Sequence, residues 1–436
     1  MARNDRTFIL GGGVTGLAAG MTSGAPVFEA TTRPGGICSS YYVPPGEREQ
    51  LPAPPPDGEA YRFEIGGGHW IFGGDPTILH FIENVTPGKR YERNSAVYFG
   101  RDGRYVPYPL QNNLRYLEPE TASQALQELA GQEGPRTTMK EWLERSFGPT
   151  LGEMFFDPFH QLYTGGLYDR IAPQDAYKSP VDIKTAVAGA FGGAAAVGYN
   201  VTFFYPEDGL NALAQRMAGA ADVRYEKRVA AIDPRSRVVH LQDGTEAAYD
   251  RLLSTLPLNK MMEMTGLTVE SQADPYTSVL VLNIGARRGE KCPDAHWLYN
   301  SDTRSGFHRV GFYSNVDSSF MPRSMRPTNA GVSIYVERAF EGGSAPSPQE
   351  QEEYSQAVVQ ELQEWGFIED VDVVDPTWID VAYTWAWPGS RWKQQALNCL
   401  EKENIFQVGR YARWIFQGIA DSIRDGFYAG ASMRSL

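Results

Sequence analysis

The stretch Thr7-Phe8-Ile9-Leu10-Gly11-Gly12-Gly13-Val14-Thr15-Gly16-Leu17-Ala18-Ala19 constrains the chain more than any other. Apolar residues run straight into glycines at G-x-G-x-x-G spacing (Gly11, Gly13, Gly16) and then into small helix formers. The segment therefore reads as a buried strand, a tight turn and the start of a helix. The first glycine makes the turn, the second lets the backbone approach a pyrophosphate, and the third lets the helix pack on the strand, leaving N–H groups to face phosphates. The next strand, Pro26-Val27-Phe28-Glu29, ends in a carboxylate placed to accept ribose hydroxyls. The helix between them is shorter than the usual spacing of about 20 residues. An ordinary glycine turn is the competing reading.

A second glycine-rich loop, Arg33-Pro34-Gly35-Gly36, follows just past that acid. Such a loop is more typical of FAD than of NAD binding, with a plain surface loop as the alternative. Near the other end, Phe406-Gln407-Val408-Gly409-Arg410 reads as one more buried strand and a turn. Gly418-Ile419-Ala420-Asp421-Ser422-Ile423 then opens a terminal helix whose N–H groups would point at a bound ring. The residues expected to hold the flavin are Gly11, Gly13, Gly16, Glu29, Arg33, Gly35, Gly36, Gly409, Arg410, Ile419, Ala420, Asp421 and Ser422, so both ends of the chain would grip it.

At 436 residues the chain is too long for one core. Hydrophobic content of 42% and charged content of 21% are those of an ordinary soluble globular protein. A net charge of -13 argues against a nucleic-acid partner, which needs a basic face. It leaves room for an anionic small-molecule substrate, because a few arginines can focus a local field. Cys38, Cys292 and Cys399 are scattered, which excludes a disulfide framework and suits a reducing compartment. The first apolar run is the cradle strand itself, so no signal segment is read and the expected location is cytoplasmic. Thr185 to Val197 is rich in glycine and alanine but too short to span, so no membrane span is expected. The six histidines show no metal-ligand spacing, and no metal is expected.

Residues 43 to 60 carry Pro44, Pro45, Pro52, Pro54, Pro55 and Pro56 and read as a loop insertion. Strand-like segments follow at Tyr61, Ala96 to Phe99 and Tyr105 to Tyr108. From Ala122 to about Ala176 the apolar spacing turns helical. A helix near Asp208 to Leu213, short strands from Val223 to Leu241 and a strand at Leu252 to Pro257 return the chain to the nucleotide-binding part. Val279 to Ile284, Val310 to Ser314, Val332 to Val336 and Val381 to Thr384 are β-rich and separated by what read as long loops. The expected fold is α/β: a Rossmann-type FAD-binding domain (residues 1–92, 205–257 and 399–436), an inserted mainly helical module (115–204), and a mostly antiparallel β-sheet substrate domain (93–114 and 258–398).

Several further motifs occur in order: Gly67-Gly68-His69-Trp70-Ile71-Phe72, Val106-Pro107-Tyr108-Pro109-Leu110-Gln111-Asn112-Asn113-Leu114, Asn200-Val201-Thr202-Phe203, Trp297-Leu298-Tyr299, Phe307-His308-Arg309-Val310-Gly311-Phe312-Tyr313-Ser314-Asn315 and Gly409-Arg410-Tyr411-Ala412-Arg413-Trp414. With these, nearly the whole chain resembles the UDP-galactopyranose mutases, most closely the eukaryotic type, within the wider amine oxidase and protoporphyrinogen oxidase-like superfamily. The resemblance implies a mutase that interconverts pyranose and furanose forms of a nucleotide sugar through a flavin N5–sugar adduct, without net redox change. It implies FAD in its reduced form, with NADPH or NADH as candidate reductants, and a nucleotide-diphosphate sugar as substrate; it sets no oligomeric state.

Carried over by motif match, the resemblance places the diphosphate clamp at Arg170 and Arg309. Arginine suits that role because its planar fork takes phosphate oxygens bidentately. It likewise places diphosphate hydrogen bonds at Tyr299 and Asn200, a uracil-reading amide at Gln111 and a flavin-side histidine at His69. The competing readings are surface salt bridges for the arginines, satisfied core polar groups for Gln111, Asn200 and Tyr299, and a buried structural histidine. Where the family has two more diphosphate-binding tyrosines, this chain has Trp387 and Phe416, and both lack the phenolic donor. The alternative function is an FAD-dependent oxidoreductase of the amine oxidase or protoporphyrinogen oxidase type, since fold alone does not fix chemistry. A non-catalytic flavin-binding module is the third reading.

Overall fold

The computed structural model describes residues 6–129, 134, 136–174, 182–192 and 201–434. The glycine-spaced segment folds as its pattern predicts, with strand Thr7–Leu10, a turn at Gly11 with φ of 99°, and helix Val14–Ser23. That strand lies at the centre of a five-stranded parallel sheet. Val27–Phe28 and then Val223–Arg224 flank it on one side, and Arg251–Ser254 and then Ile405–Gln407 on the other. Ile9, Leu10, Val27, Leu252 and Leu253 are essentially unexposed, as a parallel sheet covered on both faces requires.

The terminal helix Ile419–Ser432 covers this sheet by lying against Val14–Ser23. The approach is backbone to backbone. A Cβ at Gly426 would sit 2.2 Å from the carbonyl oxygen of Thr15, and one at Gly430 would sit 2.3 Å from that of Ala19. Two ends of the chain more than 400 residues apart are thus held together by glycines on one face of a helix.

The second floor is a seven-stranded sheet in the order Ile368–Thr384, Tyr276–Arg288, Gly331–Glu341, Arg309–Phe312, Trp297–Asn300, Ser95–Phe99 and Arg104–Pro107. All its pairings are antiparallel except that of Trp297–Asn300 with Ser95–Phe99. Side chains alternate between its faces. Leu280, Leu282, Val310, Ile334 and Val336 point to one face and bury Tyr354, Val358 and Leu362 of helix Pro348–Glu364. The sequence reading expected loops here, and the structure corrects it: this 17-residue helix lies between strands Gly331–Glu341 and Ile368–Thr384. Glutamate and glutamine dilute the apolar stripe of Pro348–Glu364 to a residue every fourth position. Its start is nevertheless firm, because Ser347 and Glu350 form a reciprocal capping box with Pro348 in the first turn.

The helical module contains Pro119–Leu129, Met139–Leu151, a π turn at Gly152–Phe156 and Asp157–Tyr163. Residues 43–60 form a connection between strands Ser40–Val43 and Tyr61–Glu64, which pair with each other. Phenols tie this hairpin to the sheet edge, Tyr61 donating to Asp372 at 2.6 Å and Tyr41 to Asp375 at 2.5 Å. Of Thr185 to Val197, residues 185–190 belong to helix Ile183–Ala190, and 193–197 lie outside the described residues. No helix among the described residues is long and apolar enough to cross a membrane.

Two glycine substitutions separate packing from conformation. Gly426→Val puts side-chain atoms into a helix contact with no space and should cost about 2 to 3 kcal/mol. Gly24→Ala sits in open space at a φ of 73° and should cost about 1 kcal/mol through backbone strain alone. Urea denaturation of both variants checks the order. Equal losses would mean that the two-helix contact is not what limits stability.

Candidate active site

Between the two floors lies a cavity of about 490 Å³. Its walls come from the loop Gly66–Gly74, the inner face of the seven-stranded sheet, helix Asp157–Tyr163, and the start of helix Ile419–Ser432.

The inner sheet face carries a rung of side chains in register across four strands: Tyr299, Arg309, Glu337 and Val281. Arg309 grips Glu337 through one edge of its guanidinium. Its Nε donates to Oε2 at 3.0 Å, and its Nη2 reaches Oε1 at 2.5 Å and Oε2 at 2.6 Å. The carboxylate is 2% exposed while the arginine keeps 21%, on the cavity side. Burial alone would raise the pKa of Glu337, but Arg309 and then His308 hold it down to about 2. The adjacent rung holds Trp297, Gly311, Tyr335 and Asn283. Glycine is required at position 311, because a Cβ there would overlap the Tyr335 ring at 2.0 Å.

Tyr335 in turn fills the space beneath Gly68, so the loop before His69 settles against the sheet. His69 is enclosed, and burial, with Arg410 next, lowers its pKa to about 4. It is a neutral imidazole near pH 7, and its Nδ1 is a buried atom with no hydrogen-bond partner. Opposite it, the Arg410 guanidinium lies 4.6 Å from the Phe416 ring centroid and donates to the carbonyls of Gln417 and Ala382, each at 3.2 Å.

Of the residues expected at the substrate, the structure brings Arg309, His69, Tyr299 and Phe416 to this cavity. Three others lie outside it. Arg170 is half-exposed outside it, with Nη2 3.0 Å from Glu341 and Nε 3.8 Å from Asp169, so two surface carboxylates already satisfy its charge. Gln111 is 1% exposed in the turn Leu110–Asn112, which Leu110 and Leu114 draw into the core of the helical module. Trp387 turns away, its indole donating to the carbonyl of Ala273 at 2.9 Å and its backbone N–H to Asp274. Asn200 lies outside the described residues. The sequence reading missed Glu337, His308, His160, Tyr163, Tyr383 and Tyr411, all of which line the cavity. Strand register was the available signal for Glu337, which lies on the same face as Tyr335 and directly across from Arg309.

The glycine loops fit a dinucleotide. Gly35 donates to the carbonyl of Gly12 at 2.8 Å, which zips the two loops together. A Cβ at Gly13 would meet nothing nearer than 3.9 Å, whereas one at Gly16 would strike the Gly11 carbonyl at 1.9 Å. The first position thus leaves an open face and the second closes the helix onto the strand. Glu29 is buried and fixed by the N–H groups of Gly12 and Thr31, each at 2.8 Å. Arg33 has a buried Nη1 with no hydrogen-bond partner beside it in sequence. Helix Val14–Ser23 has neither a side-chain cap nor an acid in its first turn, leaving its N–H groups to an anion. Gly409, at a φ of 88°, presses on Thr15, and Ile419, Ala420, Asp421 and Ser422 form the first turn of the terminal helix.

The buried pair makes stability depend on acid. The depression of Glu337 from 4.5 to about 2 corresponds to about 3 kcal/mol, fully present above pH 4.5 and lost as pH falls toward 2. Glu337→Gln leaves Arg309 buried without its counter-charge, so the variant should be less stable by about 3 kcal/mol near neutrality. The gap to the parent should narrow as pH drops from about 5 to about 3, read by urea denaturation. A gap constant with pH would mean that the carboxylate is not charged in the folded protein.

The structure is similar to that of reduced UDP-galactopyranose mutase over 98% of this chain and 95% of the other, with 20% identity and a TM-score of 0.82. It is similar to a proposed protoporphyrinogen oxidase from Exiguobacterium sp. 255-15 over 99% and 98% of the two chains, at 16% identity and a TM-score of 0.69. Putrescine oxidase bound to putrescine matches over 98% of each chain, at 16% identity and a TM-score of 0.57. All share the α/β architecture of a FAD-binding part joined to a substrate-binding sheet. At the level of sequence, residues 25–431 match the profile of the flavin-containing amine oxidoreductases, and the chain belongs to that family.

Proposed function

We propose that the protein is a flavin-dependent nucleotide-sugar mutase, isomerising a sugar between pyranose and furanose forms with no net change in oxidation state. One observation carries this reading. Arg309 spends its Nε and Nη2 on Glu337, and among the described residues its Nη1 makes no hydrogen bond, so a second guanidinium edge is left for an anion in the cavity that His69 and Tyr299 share. A diphosphate suits that edge because charge-assisted bonds to planar guanidinium are short and directional. Tyr163, Tyr383 and Tyr411 line the cavity, and their phenols could take the part of those absent at positions 387 and 416. The fold similarity to UDP-galactopyranose mutase, with the highest TM-score of the three comparisons above, supports the same reading.

When bound, the flavin would supply a ring able to act as a nucleophile or to exchange electrons. Gly11, Gly13, Gly16, Glu29, Arg33 and the first turn of helix Ile419–Ser432 would hold it. The chain's other residues do the remaining work. Arg309 and Tyr299 hold and orient the leaving diphosphate, and His69 offers an uncharged hydrogen-bonding nitrogen. Phe155, Phe159 and Phe416 keep water from the reacting sugar.

A second reading, substrate oxidation, is favoured by a specific observation: Arg170 stands outside and Glu337 offsets the charge of Arg309. Titrating the purified protein with UDP, with and without dithionite, separates the two. Binding that strengthens on reduction is expected of the mutase. Absence of binding in both states, with peroxide formed in air as a substrate bleaches the flavin, would replace it by the oxidase. Arg309→Ala should lower kcat/KM by about 10- to 150-fold, the equivalent of about 1.5 to 3 kcal/mol. Arg170→Ala should stay within about threefold, because its bonds are those of a surface ion pair.

A further inference from the structure

We propose that an anion arriving at Arg309 is accompanied by a proton that settles on His308. The inference rests on the diphosphate reading of the cavity. His308 is 1% exposed and lines the cavity, and neither of its ring nitrogens makes a hydrogen bond. Nε2 stands 3.5 Å from Glu337 Oε2, within ion-pair reach. The ring is held there. The backbone N–H of His308 donates to the backbone carbonyl of Glu337 at 3.0 Å, its own carbonyl accepts from the backbone N–H of Asn300 at 2.9 Å, and Tyr163 and Phe159 stand edge-on with centroids 5.3 Å and 6.1 Å away.

The reason is charge. Arg309 and Glu337 already cancel, so a diphosphate diester at the Nη1 edge adds two negative charges beside a buried carboxylate. Like charges in a poorly solvated site favour taking up a proton. The candidates facing this cluster can be weighed in turn. Tyr163 from helix Asp157–Tyr163, and Tyr299, Tyr335 and Tyr383 from three strands of the sheet, are neutral phenols with no further proton to gain. For His69, from the glycine loop, burial and then Arg410 oppose protonation more than Glu337 favours it. His160 has its Nδ1 tied to the Phe156 carbonyl at 2.6 Å. Among the described residues, His308 is the histidine that combines a buried ring nitrogen without a hydrogen bond with ion-pair reach of the carboxylate. In the anion-free site burial, helped by Arg309, outweighs the pull of Glu337 and lowers the pKa of His308.

The proton favours the anion-bound state, so the pKa of His308 is higher in the complex than in the free protein. Affinity should rise as pH falls between those two values, by up to about tenfold per pH unit, and be flat above and below them. Glu337 sets this requirement as a positioning residue, without touching the anion.

The test is calorimetric titration of the holoprotein with UDP-glucose, in two buffers of different protonation enthalpy. As a diester this probe takes up no proton itself near neutrality. The parent should take up close to one proton per molecule bound, and His308→Asn close to none. Glu337→Gln should also abolish the uptake and make the dissociation constant independent of pH. Retained flavin absorbance and an unchanged far-ultraviolet spectrum report that each variant is folded, and the Glu337 variant carries the test if the His308 variant is not. Binding without proton uptake in the parent, or uptake that survives in both variants, overturns the coupling and leaves the diphosphate reading standing. Failure of UDP-glucose to bind at any pH, in either flavin state, overturns both.

Discussion

The contact between helix Val14–Ser23 and helix Ile419–Ser432 is the constraint on which the rest depends. Gly426 and Gly430 let the backbones meet where a Cβ would lie 2.2 Å and 2.3 Å from carbonyl oxygens. That closeness fixes the terminal helix beside the first glycine turn, and its own first turn then closes one end of the cavity. A dinucleotide site assembled from the two ends of a chain needs such a clasp. Loop-closure entropy over hundreds of residues must be met by dense packing, and close backbone approach gives many weak dispersion contacts at once.

The seven-stranded sheet is organised by a division of labour between its faces. One face is aliphatic and buries helix Pro348–Glu364; the other presents Tyr299, Arg309, Glu337 and Tyr335 to the cavity. A charged pair on a buried sheet face is costly unless its geometry is good. Here the guanidinium meets the carboxylate through a cross-strand register that places the two residues directly opposite. The pair leaves a cation that is already neutralised on one edge. Under the proposed function, an anion in this site would be bound by a directional hydrogen-bonding edge more than by net charge, and any excess charge would have to be answered by a neighbouring group.

Much of the fold is legible in the residues. The glycine spacing at 11, 13 and 16, the β-rich runs after residue 276 and the helical spacing around Leu143 and Phe147 each specify a local geometry, because backbone sterics and apolar periodicity act over a few residues. Helix Pro348–Glu364 is the counterexample. Its polar composition hides a stripe that becomes apolar only in contact with the sheet. At the site, Arg309, Tyr299 and His69 line the cavity, since each lies on a strand or a glycine loop whose register leaves little choice of direction. Arg170, Gln111 and Trp387 lie outside it, in turns where a neighbouring carboxylate, an apolar flank or a backbone carbonyl decides which way the side chain faces.

By itself, the sequence determined the nucleotide cradle, the alternation of sheet and helix, and the charge types available to a substrate. Those properties follow from spacing within a short segment and from composition. Only the tertiary structure decided which charges meet. Arg170 found Glu341 at the surface and Glu337 found Arg309 and His308 in the interior, because the energy of an ion pair depends on distance and burial, and neither is written in the order of residues along the chain.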